Sequence, residues 1–394
     1  MKGYLVEADF APKKEYELSE REKNTKRAQK GNMVWKNVRG TYREDLEMPV
    51  LKDDEVLVRV GVCGVCGSDV HIMQTDDEGY THFGGHSRFP AVIGHEFSGE
   101  IVEAGKNTRK FKVGDLVSCE SMQACGLCDA CLMDKPNQCN NLEEGGITVN
   151  GGFGEYVAIK ERYCWSLNDI LKQTGDKTKT LELGALVEPM GIAYHGICVE
   201  AKGIHAGGDV AVFGAGPIGL SSIAIAKATG AGKIFAVEGL AKRKEIAKEM
   251  GADYVLDFNE LKKEGKTIGQ KIMELTDGKG VSTVIEAVGL QSVTYPDIER
   301  IIRPGAKVVQ LGLGSSRASV DLSVFQFKGA QIYGSIGHGG HGIFYSVISL
   351  IANGRVDPMK MVTARMPLEK THDAITKLGS SPEHGKVLVS TLYK

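Results

Sequence analysis

Two textures of apolar and polar residues follow one another along the chain, and they change near residue 182. From Asp209 onward, short apolar runs recur at 209–213, 233–238, 253–256, 282–286, 306–311 and 330–334. Runs of this length between turn residues predict buried strands. Amphipathic stretches at 217–229, 241–250, 266–275 and 292–302 separate most of them. Six strands alternating with helices predict an α/β fold built on a doubly wound parallel sheet. Before residue 182 the pattern is more broken. Glu55–Val62 alternates like a strand, and 91–119 and 152–160 are β-rich with glycine punctuation. The tail returns to helix at 341–353 and 368–378 and to strand at 386–391. The domains expected are 1–188, 189–334 and 335–394, the last folding back onto the first. The charged run Lys13–Lys30 predicts a solvated helix or loop.

Composition narrows the class. Of 394 residues, 50 are glycine, nearly twice the usual share of ~7%. No triplet period accompanies them, and 42% of the chain is hydrophobic, so they mark tight turns in a folded protein. Lys and Arg total 48 against 50 Asp and Glu. That balance lacks the basic field a nucleic acid needs. The least charged run, Val210–Ala226, is broken by Gly214, Gly216, Pro217 and Gly219, and is too short for a membrane span. The charged start lacks the apolar segment of a signal peptide. A cytoplasmic protein is expected.

Val210-Ala-Val-Phe-Gly214-Ala-Gly216-Pro-Ile218-Gly219 runs from a strand through G-x-G-x-x-G into a helix. Gly214 permits the turn, Gly216 lets backbone approach a pyrophosphate, and Gly219 lets helix and strand pack closely. The helix N-terminus offers free N–H groups to the phosphates. The next strand ends in Glu238, 24 residues after Gly214. An acidic side chain there suits the ribose hydroxyls of NAD and opposes the extra phosphate of NADP. This is the signature of a Rossmann-type domain. Arg243 is expected over the adenine or as a plain helix-surface charge.

Of nine cysteines, four fall at Cys125, Cys128, Cys131 and Cys139. Clustered thiolates in a chain with no export signal favour metal over disulfides. A closed tetrahedral set suits a structural zinc. An iron–sulfur cluster and a nucleic-acid-binding ribbon are the rivals, the second opposed by a lobe with one base, Lys135, against Asp129 and Asp134. Further metal-type residues are Cys66, His95-Glu96 and Glu188. A cysteine, a histidine and a carboxylate with one open position form a catalytic zinc pattern.

In this order, Cys66-Gly-Ser68-Asp-Val-His71, Gly94-His95-Glu96, the four-cysteine lobe, Glu188-Pro189 and the glycine turn resemble the zinc-dependent medium-chain dehydrogenase/reductase family. The resemblance spans nearly the whole chain. It implies a GroES-like β-rich catalytic domain beside the Rossmann domain and two zinc ions per chain. The catalytic zinc would take Cys66, His95 and Glu96 or Glu188, and the four-cysteine lobe the structural one. Glutamate at 188 is similar to the sorbitol, threonine and other polyol dehydrogenases. The resemblance further implies that Ser68 accepts the substrate proton, that His71 leads it to solvent, and that backbone near Leu311 and Leu313 meets the nicotinamide. A homodimer or homotetramer follows from the same likeness.

The expected activity is therefore hydride transfer from a secondary alcohol of a polyol, a small-molecule substrate, to NAD. Threonine oxidation is the nearest rival, and a non-catalytic zinc and nucleotide sensor is the rival from another class. Two segments exceed the family pattern: the N-terminal stretch 12–48, and a polar loop, 74–90, expected to border the substrate and to offer it hydrogen bonds. The cluster Gly337-His338-Gly-Gly-His341 reads as a cleft edge or a turn.

Overall fold

The computed structural model describes residues 1–314, 317–381 and 384–393. The chain divides into two compact units. One holds Met1–Glu188 and the chain from Val362 on, except His384 and Gly385, which group with the other, Pro189–Met361. The return to the first unit at Val362 comes later than residue 335. The helix Ile343–Ala352 accounts for the difference. Its apolar residues Ile343 and Phe344 are buried beside Gly191, inside the second unit.

The second unit is a six-stranded, wholly parallel sheet. Its spatial order is Tyr254–Leu256, Ile234–Val237, Val210–Phe213, Val281–Glu286, Ile302–Gln310, Gln331–Gly334. The order reverses between Val210–Phe213 and Val281–Glu286, and ligands of such sheets bind outside the carboxyl ends at that point. Both strands are buried along their whole length, which is why they read as unbroken apolar runs. The helices Pro217–Ala228, Ala241–Met250, Ile268–Leu275 and Gln291–Ile301 stand where the periodicity predicts them. Two shorter helices, Phe258–Lys263 and Leu322–Lys328, start at aspartate caps Asp257 and Asp321.

The first unit is built on a seven-stranded sheet centred on Glu55–Val65, buried at every position but Arg59. This strand pairs antiparallel with Glu96–Ala104, Tyr156–Lys160 and the late strand Lys386–Ser390. A smaller sheet joins Gly3–Phe10 to Trp35–Arg43 and Ala91–Val92. The charged run is exposed or half-buried over most of its length, as expected, but three of its residues, Glu22, Arg27 and Ala28, are buried. Its helix Glu20–Thr25 is followed by Arg27 and Ala28, both buried, because Ala28 pairs with Ser87 by two backbone hydrogen bonds of 2.9 Å.

The glycine turn shows how tightly the second unit is assembled. A Cβ on Gly219 would lie 1.9 Å from the Gly214 carbonyl oxygen. Overpacking against backbone costs about 1–3 kcal/mol, so Gly219→Ala is expected to lose that much stability in urea unfolding. A variant as stable as the parent would refute the close approach.

Candidate functional site

The central strand Glu55–Val65 delivers the chain to Cys66, which caps the helix Gly67–Met73. The Cys66 N–H donates to Asp69 Oδ2 at 2.8 Å, fixing the thiol at the helix mouth. Gly94, at φ +93°, turns the chain just before His95, and Glu96 opens the neighbouring strand. One donor atom each from Cys66, His95 and Glu96 falls within 4.8 Å of the others. Gly64 makes room for this, since a Cβ there would meet Glu96 Oε2 at 2.1 Å. Glu188, in the first turn of Val187–Tyr194, is buried. It acts on the charges of His95 and Lys386 but stands outside the three-donor cluster.

Two residues here carried no role in the sequence reading. Asp69 is completely buried, with Oδ1 3.9 Å from His95 Nδ1, and burial raises its pKa to about 6. Lys386, 1% exposed, places Nζ at 2.6 and 2.7 Å from the two Glu96 oxygens and 3.1 Å from the Val65 carbonyl. Burial alone would discharge this lysine, but Glu96, Cys66 and Glu188 hold its pKa above the ordinary value. The same balance raises His95, where Cys66, Asp69 and Glu188 outweigh burial. The centre thus gathers a thiol and three carboxyl groups around one lysine and one histidine. An excess of buried acidic donors is what a divalent cation offsets.

Ser68 Oγ lies 3.6 Å from Cys66 Sγ, and His71 stands exposed one turn further along the same helix. In the polar loop several hydrogen-bonding groups already have partners. Asp76 pairs with Lys13 at 3.1 Å, His86 lies 3.1 Å from Glu144, and Arg88 donates to the Thr148 carbonyl at 2.8 Å. Tyr80 is covered by Lys13 and Lys36. These groups fasten the loop to residues outside it; of its charged side chains and histidines, Asp77, Glu78 and His82 are exposed.

In the four-cysteine lobe, Sγ separations are 4.0 Å for Cys125–Cys131, 3.6 Å for Cys128–Cys131 and 3.8 Å for Cys128–Cys139. Four sulfurs at ~2.3 Å around one tetrahedral ion stand about 3.8 Å apart. Sulfurs on the separate irons of a cluster would stand further apart. Backbone N–H groups of Leu127 and Cys128 pull the Cys125 thiol down to about 6. The N–H groups of Cys125 and Asn141 point at Cys139 Sγ, 3.2 and 3.3 Å away.

In the second unit, Gly214 has φ +89°, and Gly216 caps the helix that carries Ile218 and Gly219. Glu238 is buried and accepts from the N–H groups of Ala215 (3.1 Å), Gly239 (2.8 Å) and Leu240 (3.0 Å). Its carboxylate is thereby fixed against the glycine turn. Arg243 is no plain surface charge: its Nε and Nη2 donate to the His384 carbonyl at 3.3 and 3.2 Å, and its Nη1 is 3.7 Å from where a Gly216 Cβ would lie. Leu311 is buried and Leu313 is 78% exposed. The His338 cluster is a tight turn with His338 buried against Phe344. Among the described residues, no helix is long and apolar enough to cross a membrane.

Residues 52–169 match the model of the alcohol dehydrogenase GroES-like domain, and 217–353 match that of the zinc-binding dehydrogenase. The scyllo-inosose 3-dehydrogenase of Thermotoga maritima is 36% identical, over 98% of this chain and 99% of that protein. An L-threonine 3-dehydrogenase of Caldanaerobacter subterraneus is 34% identical, over 82% and 87%. A Thermotoga maritima structure assigned as an alcohol dehydrogenase superposes with TM-score 0.93 at 35% identity, covering 99% and 100%. An Escherichia coli alcohol dehydrogenase solved with NADH gives TM-score 0.76 at 25% identity, over 98% and 99%.

The buried pair gives a direct test of the centre. Removing one partner of such a pair costs about 3–5 kcal/mol, so Lys386→Met is expected to lose that much stability in urea unfolding at neutral pH. A loss below about 1 kcal/mol would place this pair with weak exposed ones.

Proposed function

Because the chain belongs to the zinc-binding dehydrogenase family, with its alcohol dehydrogenase GroES-like domain, we propose that it oxidises a secondary hydroxyl of a polyol with NAD. A cyclic polyol ketone such as scyllo-inosose, within inositol breakdown, is the first substrate class to expect. The convergence of Cys66, His95 and Glu96 within 4.8 Å, at the start of a helix bearing Ser68, carries this reading.

In this proposal Cys66, His95 and a carboxylate from Glu96 or Glu188 hold one zinc ion. The four lobe thiolates hold a second, which is structural. A zinc ion at the first site would supply a Lewis acid that lowers the pKa of a substrate hydroxyl. Asp69 orients His95 from the Nδ1 side, as carboxylates behind metal-ligating histidines do. Ser68 Oγ takes the hydroxyl proton and His71 releases it to solvent. The glycine turn presents backbone N–H groups to the pyrophosphate, with Arg243 beside it, and backbone at Leu311 and Leu313 faces the nicotinamide. Glu238 receives the ribose hydroxyls and disfavours the phosphate of NADP. NAD held there would supply the hydride acceptor, so that the alcohol would be released as a ketone with NADH and a proton.

A reducing, cytoplasmic setting suits thiolates that must stay reduced. The exposed edge strand Gln331–Gly334, with Ile332 and nearby Phe327 uncovered, supports a homodimer or homotetramer.

Two measurements check the proposal. A panel of inososes, inositols, sorbitol and L-threonine with NAD⁺ or NADP⁺ is followed at the NADH absorbance. Turnover is expected with cyclic polyols and NAD⁺. A threonine preference would overturn the substrate class, and NADH binding without turnover on any alcohol would favour the sensor. Cys66→Ser is expected to abolish turnover while NADH binding stays near normal; an active variant refutes the first zinc assignment.

A further inference from the structure

The N-terminal arm precedes both family matches, the first of which begins at residue 52 and the second at 217, and the proposed reaction gives it no part. It is nevertheless a built structure. Ser19 and Glu22 cap its helix reciprocally. Glu22, 2% exposed, also accepts from the Tyr16 hydroxyl at 2.9 Å and the Gln29 N–H at 2.8 Å. These bonds close the turn that carries Arg27, and the Ala28–Ser87 bridge pins the following residue.

Arg27 is 8% exposed. Its Nη2 donates to the Leu142 carbonyl, and its Nη1 lies 3.8 Å from Glu143 Oε1. Arg21 Nη1 donates to the Asn140 carbonyl. The two guanidiniums therefore grip three of the four residues that follow Cys139. Leu142 in turn packs with Cys139 in the small apolar core of the lobe. Charge points the same way. Four thiolates around a divalent ion carry a net charge of −2, and within 125–139 Lys135 is the one basic residue. A buried guanidinium on the adjoining turn offsets that charge, and its planar fork addresses two acceptors at once, as an ammonium cannot.

We propose that the arm is a strap for the thiolate lobe, with Arg27 as the positioning residue that locks the Cys139–Glu143 turn and slows loss of the bound zinc. The proposal rests on the reading that these thiolates hold zinc.

The test uses the full chain in the Cys66→Ser background, where the lobe holds the remaining zinc. Zinc content is measured by mass spectrometry, and release to 4-(2-pyridylazo)resorcinol is followed by absorbance. Arg27→Met is expected to release zinc at least tenfold faster than the parent, with Arg27→Lys in between. Arg39→Met, at an exposed arm position, is expected to match the parent. Equal release rates for parent and Arg27→Met overturn the strap, as does a lowered melting temperature without faster release. Should Arg27→Met fail to fold, Arg27→Lys decides, and a parental rate overturns the strap. A parent chain without zinc overturns the metal reading itself, which separates the two failures.

Discussion

The first unit depends on one buried ion pair, Lys386 with Glu96. The ammonium has three donors, and they meet two carboxylate oxygens and the Val65 carbonyl. Nothing is left over for water. The lysine begins the strand Lys386–Ser390, which pairs residue by residue with Val62–Val65. That segment leads directly into Cys66. The end of the chain therefore sets both the backbone before the thiol and the position of the neighbouring carboxylate. Without the lysine, the buried Glu96 carboxylate would lose the ammonium that faces both its oxygens, and an unpaired buried charge is costly.

The two thiol-bearing regions solve different problems. The lobe closes four sulfurs at separations suited to one ion and surrounds them with backbone N–H donors, so no position remains open. The centre at Cys66 offers fewer protein donors, and a serine hydroxyl stands beside the thiol. Closed and open donor sets correspond to structural and catalytic chemistry. The difference is visible in local backbone: the lobe wraps on itself within fifteen residues, whereas the centre assembles from four separate parts of the sequence, at 66–69, 95–96, 188 and 386.

Legibility in the sequence follows the same division. The central parallel strands Val210–Phe213, Ile234–Val237 and Val281–Glu286 were readable because they are buried along their whole length and no polar alternation interrupts them. The lobe was readable because its four cysteines are local in sequence. The helices Phe258–Lys263 and Leu322–Lys328 are too short to show a period, and Asp257 and Asp321 were their only signals. Composition anticipated the largely solvated run at 13–30 but not its buried members. There Glu22 and Arg27 are buried with partners, and a charge pattern does not reveal its partners. In the polar loop likewise, the pattern did not show that Asp76, His86 and Arg88 are engaged by residues outside it.

Lys386 marks where sequence reasoning stops. Its partner lies 290 residues away, and a lysine followed by Val-Leu-Val reads as the polar start of a strand. Periodicity constrains which face a residue takes, but not what waits on that face. Buried charge is the informative exception to interior composition. It becomes visible only when the topology has brought both partners together. The residues that set the electrostatics of this centre, Lys386 and Asp69, are for that reason legible from the fold, while the donors they serve are legible from motif spacing.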